Sequence, residues 1–206
     1  MSPPDSLPVV ETFHSLQGEG HHCGRSAFFI RLAGCKVGCT WCDTKHSWPL
    51  ENHPRRSIDA LAQEAVEAAR NGAAFTVITG GEPLHHDLSR LTDVLAKHGN
   101  KTHLETSGVD RLSGSPDWIT LSPKRHSPPR RELLQRCDEL KVIVHERDDL
   151  SFAEEMASET GPGTVLLLQP GWQSEDGQRL SIEHVRCKRR WKLGCLLYTS
   201  DAADDA

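Results

Sequence analysis

Three cysteines lie close together in a short stretch of the sequence. Cys35, Cys39 and Cys42 form the pattern C-x3-C-x2-C. This spacing places three thiolates around one loop, whereas a cubane [4Fe–4S] cluster normally takes four cysteine ligands. Three ligands leave one iron open to a substrate or cofactor, so the spacing predicts chemistry as well as structure. The alternative is a zinc site completed by Cys23 or by a nearby histidine, although structural zinc prefers pairs of C-x2-C.

The segments around the cysteines strengthen the cluster interpretation. An apolar strand, Phe28–Leu32, leads directly into the cysteine loop, and Trp41 precedes the last cysteine. A second strand-like run, Phe75–Thr79, ends in Gly80-Gly81-Glu82-Pro83. Together these features resemble the radical S-adenosylmethionine (SAM) superfamily. In that superfamily the amine and carboxylate of SAM chelate the open iron, and a GGEP segment holds the methionine ammonium.

Length and charge fit a single enzyme domain. The chain has 206 residues and a net charge of −5, from 24 basic and 29 acidic residues. This balance predicts no nucleic-acid partner, and the basic clusters are interpreted as solvated surface. No apolar run approaches the roughly 18 residues of a membrane span, and no signal segment is recognised, so no membrane association is expected. Seven cysteines, three of them clustered, favour a reducing, cytoplasmic location over a disulfide framework.

Short apolar strands alternate with amphipathic helices along the chain. The strand-like runs are Val9–Phe13, Phe28–Leu32, Phe75–Thr79, Lys101–Glu105, Trp118–Leu121, Leu140–Val144 and Val165–Gln169. Helical apolar spacing follows Ser57, a potential N-cap, and recurs at 84–95 before Gly99 and at 150–157. This alternation predicts an α/β fold with a parallel sheet. Because a closed eight-fold barrel needs about 250 residues, we expect a partial, open TIM-like barrel with flanking helices.

Five sequence elements fall at the carboxyl ends of predicted strands, where the sites of parallel α/β proteins form. They are the cysteine loop, Gly80–Pro83, Glu105–Gly108, Ser122–Lys124 and Gln169–Trp172. Taken alone, the ETSG or SPK segment would be an ordinary strand-end loop. Their convergence on one edge of the sheet predicts an active site there.

The segment Ser15-Leu16-Gln17-Gly18-Glu19-Gly20 narrows the resemblance from the superfamily to one of its families. With CxxxCxxC-D-T, GGEP, ETSG, SPK and QPGW, it is similar to the 7-carboxy-7-deazaguanine synthase family, from about residue 9 to about residue 193. That family makes the deazaguanine core of queuosine-type tRNA nucleosides. The resemblance implies that the reduced cluster cleaves SAM and that the resulting 5′-deoxyadenosyl radical abstracts a hydrogen from 6-carboxy-5,6,7,8-tetrahydropterin. Ring contraction and loss of ammonia then give 7-carboxy-7-deazaguanine.

The same resemblance implies roles for individual residues. The metal ligands are Cys35, Cys39 and Cys42 for the cluster and Thr44 for Mg²⁺. The SAM contacts are Trp41, Cys42, Asp43, Gly80, Gly81, Glu82, Gly108, Ser122, Pro123, Lys124, Gln169, Pro170, Gly171 and Trp172. The pterin contacts are Leu16, Gln17, Gly18, Arg31 and Thr106.

Two of these residues also have structural interpretations. An arginine fork pairs bidentately with a carboxylate, which suits Arg31 for the pterin. The alternative for Arg31 is a salt bridge within the barrel strands, for which Glu19 is one candidate partner. Mg²⁺ prefers oxygen ligands, which suits Thr44, but this hydroxyl could instead cap a turn.

Other residues of reactive types are interpreted as structural. Isolated cysteines are usually buried small hydrophobes, and we place Cys23, Cys137, Cys187 and Cys195 in that class. The histidine pairs lack the helical spacing of metal ligands. We therefore expect His21-His22 to be structural and His85-His86 to face solvent.

Two other functions remain open at this point. A glycyl-radical activating enzyme shares the cysteine spacing but acts on a protein partner, and it would not need SLQGEG or a pterin-binding arginine. A zinc-stabilised interaction module would belong to a different class altogether. The family resemblance further implies an electron donor such as flavodoxin or ferredoxin, and a homodimer.

The end of the sequence departs from the family pattern. We divide the chain into a core domain, residues 1–193, and a tail, residues 194–206. Family members continue with a short strand and a QTHK-like segment, whereas the tail reads GCLLYTSDAADDA. This tail is typical of translated sequencing-adaptor read-through, and a genuine acidic terminus is the alternative. We expect the final residues to be disordered and pterin turnover to be poor.

Overall fold

The computed structural model describes residues 4–194, and within them the strands form one nine-stranded sheet. The strands are β1 (Ser6–Leu16), β2 (Ser26–Leu32), β3 (Arg55–Ser57), β4 (Thr76–Gly80), β5 (Thr102–Thr106), β6 (Trp118–Leu121), β7 (Glu139–Val144), β8 (Val165–Pro170) and β9 (Trp191–Leu193). Their order across the sheet is β3-β1-β2-β4-β5-β6-β7-β8-β9. Neighbours from β2 to β9 run parallel, whereas β1 pairs antiparallel with β2 and with β3. The predicted open, mostly parallel α/β sheet is confirmed, with an antiparallel edge that the alternation of strands and helices did not predict.

The helices of the described chain share one apolar core with one face of the sheet. They are α1 (Ile58–Arg70), α2 (Ser89–Lys97), α3 (Arg131–Arg136), α4 (Arg147–Ser158) and α5 (Glu175–Cys187). The strand residues in this core include Ile30, Ile78, Leu104, Leu140 and Leu168. Successive side chains of a strand point to opposite faces, so the residues next to these point the other way. We call the two sides the helix-covered face and the polar face.

Local signals explain where two of the helices begin. Ser57 Oγ accepts a hydrogen bond from Ala60 N at 3.2 Å, which confirms the predicted N-cap of α1. The apolar run from residue 84 is not one helix, because Pro83–His85 forms a separate 3-10 turn and α2 starts at Ser89. Asp87 Oδ1 accepts from Ser89 N at 2.9 Å and so supports this later start.

Four short or polar elements were not predicted, namely β3, α3, α5 and β9. Two of them are strands of three residues and one is a helix of six, too short for a hydrophobic period. In α5 the apolar positions are sparse and Gly177 lies inside the helix. That glycine is required by packing, because a Cβ there would lie 2.1 Å from Val144 O.

The described residues end just inside the predicted tail. Gly194 N donates to Leu168 O at 2.7 Å, which continues the pairing of β9 with β8. The predictions for residues 195–206, including Cys195, lie outside the described residues, and the domain division stays a prediction. None of the helices within residues 4–194 has the length and apolar character that a membrane crossing requires.

Candidate active site

The cysteine loop follows β2 and folds back on a short 3-10 helix, Lys45–Ser47. Cys35 N donates to Trp48 O at 3.2 Å, and Cys42 N donates to Cys39 O at 3.2 Å. Cys39 is buried, whereas Cys35 and Cys42 are half-buried. Backbone hydrogen bonds therefore hold the three thiols together at the carboxyl end of β2.

The charge state of the thiols depends on burial and on one lysine. Burial raises the pKa of the Cys35 and Cys39 thiols, and at Cys39 the charge of Lys124 partly offsets the rise. Burial in turn lowers the pKa of Lys124, while Cys39 acts to raise it. Because the thiolate is the metal-binding form of cysteine, Lys124 favours the ligand state of Cys39.

The three thiols fit an iron–sulfur cluster better than a single metal ion. Within residues 4–194, no three His, Cys, Asp or Glu side chains are arranged so that they could hold a metal ion. A tetrahedral zinc site needs its ligands about 2.0–2.3 Å from one point, whereas thiolates that bind different irons of a cubane need not converge. Cys23 donates to Gly18 O at 3.5 Å, within its own loop. The donor set therefore fits a cluster with three protein ligands.

The GGEP segment lies directly against the cysteine loop. Gly81 N donates to Leu32 O at 2.9 Å, and Glu82 N donates to Gly34 O at 2.9 Å. A Cβ at Gly80 would lie 2.1 Å from Leu32 O, and one at Gly81 would lie 2.5 Å from Gly34 O. Only glycine allows this approach, so the two motifs recognised in the sequence form one contiguous unit.

The Glu82 carboxylate is used by the protein itself. Its Oε1 accepts from Leu84 N at 3.0 Å and from the Thr106 hydroxyl at 2.5 Å. Its Oε2 accepts from Ser107 N at 2.8 Å and from the Ser107 hydroxyl. Thr106 Oγ1 also accepts from Gly108 N at 3.0 Å. Glu82 and Thr106 therefore join the ends of β4 and β5.

A cavity of about 670 Å³ opens beside the cysteine loop. Its lining residues are Thr40, Trp41, Pro123, Lys124, Arg125, His126, Val142, Ile143, His145, Glu146, Asp149 and Phe152. Trp41 is 44% exposed, and its ring centroid lies 5.6 Å from that of His126 and 5.5 Å from that of His145. The volume lies in the range of small-molecule sites, about 300–1,000 Å³.

Sequence reasoning missed both histidines of this cavity. His126 Nε2 lies 3.8 Å from Cys39 Sγ, and His145 directly follows β7. Position at the carboxyl end of a strand is the signal that could have identified His145. His126 sits in a loop after the SPK segment, and no spacing in the sequence pointed to it.

The QPGW segment joins the site from β8. Gln169 is buried, and its Nε2 donates to Glu19 Oε1 at 3.2 Å. A Cβ at Gly171 would lie 2.0 Å from His145 Cε1, so glycine lets this loop approach the wall of the cavity. Trp172 is 60% exposed at the surface, and Pro170 ends the strand.

Three more predicted SAM contacts, Ser122, Gly108 and Asp43, differ in what surrounds them. Ser122 N donates to Thr106 O at 2.8 Å, and Ser122 Oγ accepts from Lys124 Nζ at 2.9 Å. A Cβ at Gly108 would lie 2.4 Å from Leu121 Cδ1, so this glycine is required for packing. Asp43 is exposed between two predicted metal ligands.

The Ser15–Gly20 segment lies over the polar face of the sheet. Gln17 Nε2 donates to Glu105 Oε1 at 2.9 Å, and Thr79 Oγ1 donates to the other Glu105 oxygen at 2.9 Å. Glu19 forms an ion pair with Lys141. Lys141 was not predicted as a site residue, and Glu105 fell within the predicted element Glu105–Gly108 without a role of its own. Both follow the alternation that places charged side chains opposite buried leucines.

The buried ion pair has a clear electrostatic signature. Burial alone would raise the pKa of Glu19, but Lys141 lowers it below its ordinary value. Burial alone would lower the pKa of Lys141, but Glu19 and Glu105 raise it above its ordinary value. Both groups are therefore charged at neutral pH, and they anchor the Ser15–Gly20 segment to β7.

Arg31 has a different partner from the one considered in the sequence. Its Nε donates to Glu11 Oε1 at 2.6 Å, and Glu11 is its register partner on β1. The structural alternative for Arg31, a salt bridge between barrel strands, is confirmed, but the partner is Glu11 and not Glu19, because the Glu19 carboxylate pairs with Lys141. Arg31 lies on the polar face, and its Cζ lies 5.7 Å from the centroid of the Phe13 ring.

Thr44, Leu16 and Gly18 complete the set of residues that were predicted as ligands. Thr44 begins the 3-10 helix Lys45–Ser47 without a side-chain capping bond, and its Oγ1 lies 3.6 Å from Cys42 Sγ. The turn-capping alternative for Thr44 is therefore wrong. Leu16 is 46% exposed at the end of β1, and Gly18 follows in the loop.

Two predictions about residues outside the site need correction. His85 and His86 are half-buried and hydrogen-bonded, so the expectation that they face solvent is wrong. Of the isolated cysteines, Cys137 is buried as expected, but Cys23 and Cys187 are exposed.

Aromatic side chains cluster at the amino ends of β4, β5 and β6. His103 stacks on Phe75 with 3.9 Å between ring centroids, and His22 lies 4.6 Å from His103 and 4.5 Å from Trp118. Burial lowers the pKa of His103 to about 4. This packing agrees with the structural interpretation of His22. The cavity of about 670 Å³ lies at the opposite, carboxyl ends of the strands.

A mostly parallel sheet whose carboxyl edge carries a three-cysteine loop against a GGEP segment has the architecture of a radical SAM enzyme. Residues 29–141 match the family model described as "Radical SAM superfamily". The solved structure titled "Crystal structure of QueE from Escherichia coli" superposes with a TM-score of 0.83 at 35% identity, covering 94% of this chain and 95% of that chain.

Curated relatives narrow the assignment from superfamily to family. The 7-carboxy-7-deazaguanine synthase of Prochlorococcus marinus is 50% identical over 210 residues, covering 91% of this chain and 93% of that protein. The enzyme of the same name from Synechocystis sp. is 47% identical over 188 residues, covering 91% and 89%. The chain belongs to the 7-carboxy-7-deazaguanine synthase family of radical SAM enzymes.

Proposed function

We propose that this chain converts 6-carboxy-5,6,7,8-tetrahydropterin to 7-carboxy-7-deazaguanine, with loss of ammonia, in queuosine-type deazapurine biosynthesis. The observation that carries the proposal is the position of the Ser15–Gly20 segment. Its side chains bond to Glu105 of β5, Lys141 of β7 and Gln169 of β8. The segment thereby lines the polar face with amide and carboxylate groups, which suit a small heterocycle rich in N–H donors.

Cluster and SAM binding belong to the carboxyl edge of the sheet. Cys35, Cys39 and Cys42 would hold a [4Fe–4S] cluster with one open iron, and the backbone of Gly80 and Gly81 would hold the methionine end of SAM. The bound cluster and SAM would supply radical chemistry for removal of a hydrogen atom from the substrate. The protein supplies orientation and excludes water.

The rest of SAM is proposed to occupy the cavity beside the cysteine loop. Trp41, Pro123 and Lys124 line it, and the remaining contacts are proposed from the family resemblance. These contacts are Asp43, Gly108, Ser122, Gln169, Pro170, Gly171 and Trp172. Glu82 acts by fixing β4 to β5, because its carboxylate oxygens already accept four hydrogen bonds from protein donors.

The pterin is proposed to lie on the polar face, next to that cavity. Arg31 would bind the pterin carboxylate through its guanidinium, after exchanging or sharing the Glu11 contact. Gln17 would bind the heterocycle, since its amide offers both a donor and an acceptor. Leu16 and Gly18 flank it in the segment, and Thr106 is proposed to contact the substrate from β5.

Mg²⁺ is a further part of the proposal. Thr44 Oγ1 is not engaged in capping the following helix, and a hydroxyl is a suitable oxygen ligand for Mg²⁺, which retains several waters. The ion would orient the substrate and offset negative charge next to the cluster.

Partners and location follow the family resemblance. We propose a flavodoxin or ferredoxin as the electron donor and a homodimer as the assembly. A cytoplasmic location agrees with the thiol state of Cys35, Cys39, Cys42, Cys137 and Cys187, since disulfides are rare in a reducing compartment.

Anaerobic turnover tests the function. The reconstituted protein, with dithionite, SAM, Mg²⁺ and the tetrahydropterin, should release 7-carboxy-7-deazaguanine together with 5′-deoxyadenosine and methionine. Each omission should abolish the deazaguanine. A protein that holds the cluster and cleaves SAM but leaves the pterin unchanged would instead favour a radical enzyme for another substrate, such as a glycyl-radical activating enzyme.

A further inference from the structure

The two histidines that follow GGEP contact the cysteine loop on both sides of Cys35. His85 Nε2 accepts a hydrogen bond from Lys36 N at 3.1 Å. His86 Nε2 bonds to Ala33 O at 2.7 Å. These contacts link positions 33 and 36 of the loop to the 3-10 turn that follows the proposed methionine-binding segment. Neither histidine has a role in the proposed reaction.

The hydrogen bonds of His85 define its tautomer. Lys36 N is a backbone donor, so Nε2 must offer a lone pair. His85 Nδ1 lies 2.5 Å from Asp110 Oδ2, and a carboxylate accepts, so Nδ1 carries the proton. Asp110 thus sets the orientation of the ring and leaves Nε2 as the acceptor.

His86 makes the opposite kind of contact. Because Ala33 O is a carbonyl acceptor, His86 Nε2 must carry a proton. Burial lowers the pKa of His86, so the neutral ring is favoured. His86 therefore holds the carbonyl that precedes the loop, while His85 holds the amide that follows Cys35.

We propose that His85, oriented by Asp110, is a positioning residue for the iron–sulfur cluster. By accepting the Lys36 amide, it fixes the peptide that follows Cys35 and so the direction of that thiolate. Lys36 itself is exposed, so without His85 its amide would turn to water and the loop would gain freedom. The proposal rests on the proposed cluster at the three cysteines and adds to it a support outside the ligand set.

Two substitutions separate the two hydrogen bonds of His85. Asparagine places its amide close to where Nδ1 lies, so His85→Asn keeps a donor for Asp110 but loses the acceptor for Lys36 N. Glutamine places its amide close to where Nε2 lies, so His85→Gln keeps the acceptor for Lys36 N. His98→Asn, at an exposed histidine just after α2, is the matched control.

The test measures how firmly each variant holds iron. Each protein is reconstituted anaerobically, and the loss of the iron–sulfur absorption band is followed in excess chelator, together with the melting temperature of the cluster-free protein. Partners of metal ligands typically contribute about 10–100-fold to metal affinity. We therefore expect His85→Asn to lose iron about tenfold faster than the wild type and His98→Asn to match the wild type. His85→Gln keeps the acceptor but not the Asp110 contact, so it should lose iron more slowly than His85→Asn. Melting temperatures should be similar.

Three outcomes would overturn the proposal. Equal iron loss in His85→Asn and the wild type would show that the contact does not position the cluster. Equally fast loss in His85→Gln and His85→Asn would show that the acceptor for Lys36 N is not the relevant feature. A melting temperature lowered in step with iron loss would indicate a merely structural residue. Failure of the wild type to take up a cluster would contradict the proposed function itself, which keeps the two tests distinct.

Discussion

The two faces of the sheet are built from the same strands but have opposite character. On the helix-covered face, Ile30 and Leu104 are almost completely buried in the main core. Their chain neighbours Arg31 and Glu105 lie on the polar face and bond to Glu11 and Gln17. Under the proposed function, residues that stabilise the fold and residues that bind the ligand therefore lie one position apart along a strand. Substitutions at adjacent positions should therefore affect different measurements.

The largest effect should come from the cysteine loop. Cys39→Ser should abolish cluster binding and all SAM cleavage, because the Cys39 thiolate is proposed to bind an iron of the cluster. The matched control is Cys137→Ser in the helix-covered core, where burial raises the thiol pKa to about 12 and the thiol is inert. The control should destabilise the fold but retain iron. Iron content after reconstitution decides between them, and iron retained at Cys39→Ser would contradict the ligand assignment.

Adjacent residues of β2 give the direct test of the two faces. Ile30→Ala should lower the free energy of unfolding by about 2–5 kcal/mol, as for other large-to-small core substitutions. Arg31→Ala should leave SAM cleavage measurable but weaken pterin binding by about 2–5 kcal/mol, the usual cost of removing one partner of a buried charged contact. Denaturant unfolding and substrate titration measure the two quantities.

The contrast between the two faces would be contradicted if Ile30→Ala weakened pterin binding and Arg31→Ala lowered the free energy of unfolding. An unchanged pterin dissociation constant in Arg31→Ala would remove this residue from the substrate site. Glu11→Gln serves as the control, since it breaks the ion pair without removing the guanidinium.

A smaller, pH-dependent effect is expected at His103 on the polar face. Its pKa is about 4 in the folded protein against 6.5 in the unfolded chain, so the unfolded state binds more protons between these values. The stability contributed by neutral His103 is therefore complete above the unfolded pKa and is lost as pH falls toward the folded pKa. Between about pH 7 and pH 5 this amounts to about 2 kcal/mol, from 1.36 kcal/mol per pKa unit.

The matching variant is His103→Phe, which keeps an aromatic ring on Phe75 but cannot titrate. Its free energy of unfolding should fall less with acidification than that of the wild type. Urea unfolding at several pH values measures this, and parallel pH profiles for the two proteins would show that His103 does not titrate as described.

The smallest effect concerns Mg²⁺. Thr44→Ala should reduce the response of turnover to added Mg²⁺ while the cluster spectrum stays unchanged, because one hydroxyl is a minor part of a largely hydrated ion's ligand shell. Full wild-type activity in excess chelator, with the cluster intact, would argue that no divalent ion is needed.

Sequence reasoning succeeded where chemistry and chain order coincide. The cysteine loop, GGEP and the strands before them are local patterns, and their adjacency follows from parallel pairing of β2 with β4. It failed where a partner comes from a distant part of the chain. The pairing of Glu19 with Lys141 joins residues 122 positions apart, and the sequence offered Arg31 as an equally reasonable partner.

The burial of His85 and His86 was also missed because their partners come from distant parts of the chain. Histidines next to a GGEP loop suggest an exposed turn, since no periodic pattern buries them. Their burial comes from Asp110 and from the backbone of the cysteine loop, which only the tertiary structure brings to them. Elements such as α5 were missed because few of their side chains are buried.

The central claim is that SAM binds at the carboxyl edge and the pterin on the polar face, with their reacting atoms in contact. The most direct test uses tetrahydropterin deuterated at its ring carbons and measures the mass of the 5′-deoxyadenosine released during turnover. The account predicts that deuterium moves from the pterin into 5′-deoxyadenosine. Deazaguanine formed with unlabelled 5′-deoxyadenosine, at full conversion of the labelled substrate, would contradict it.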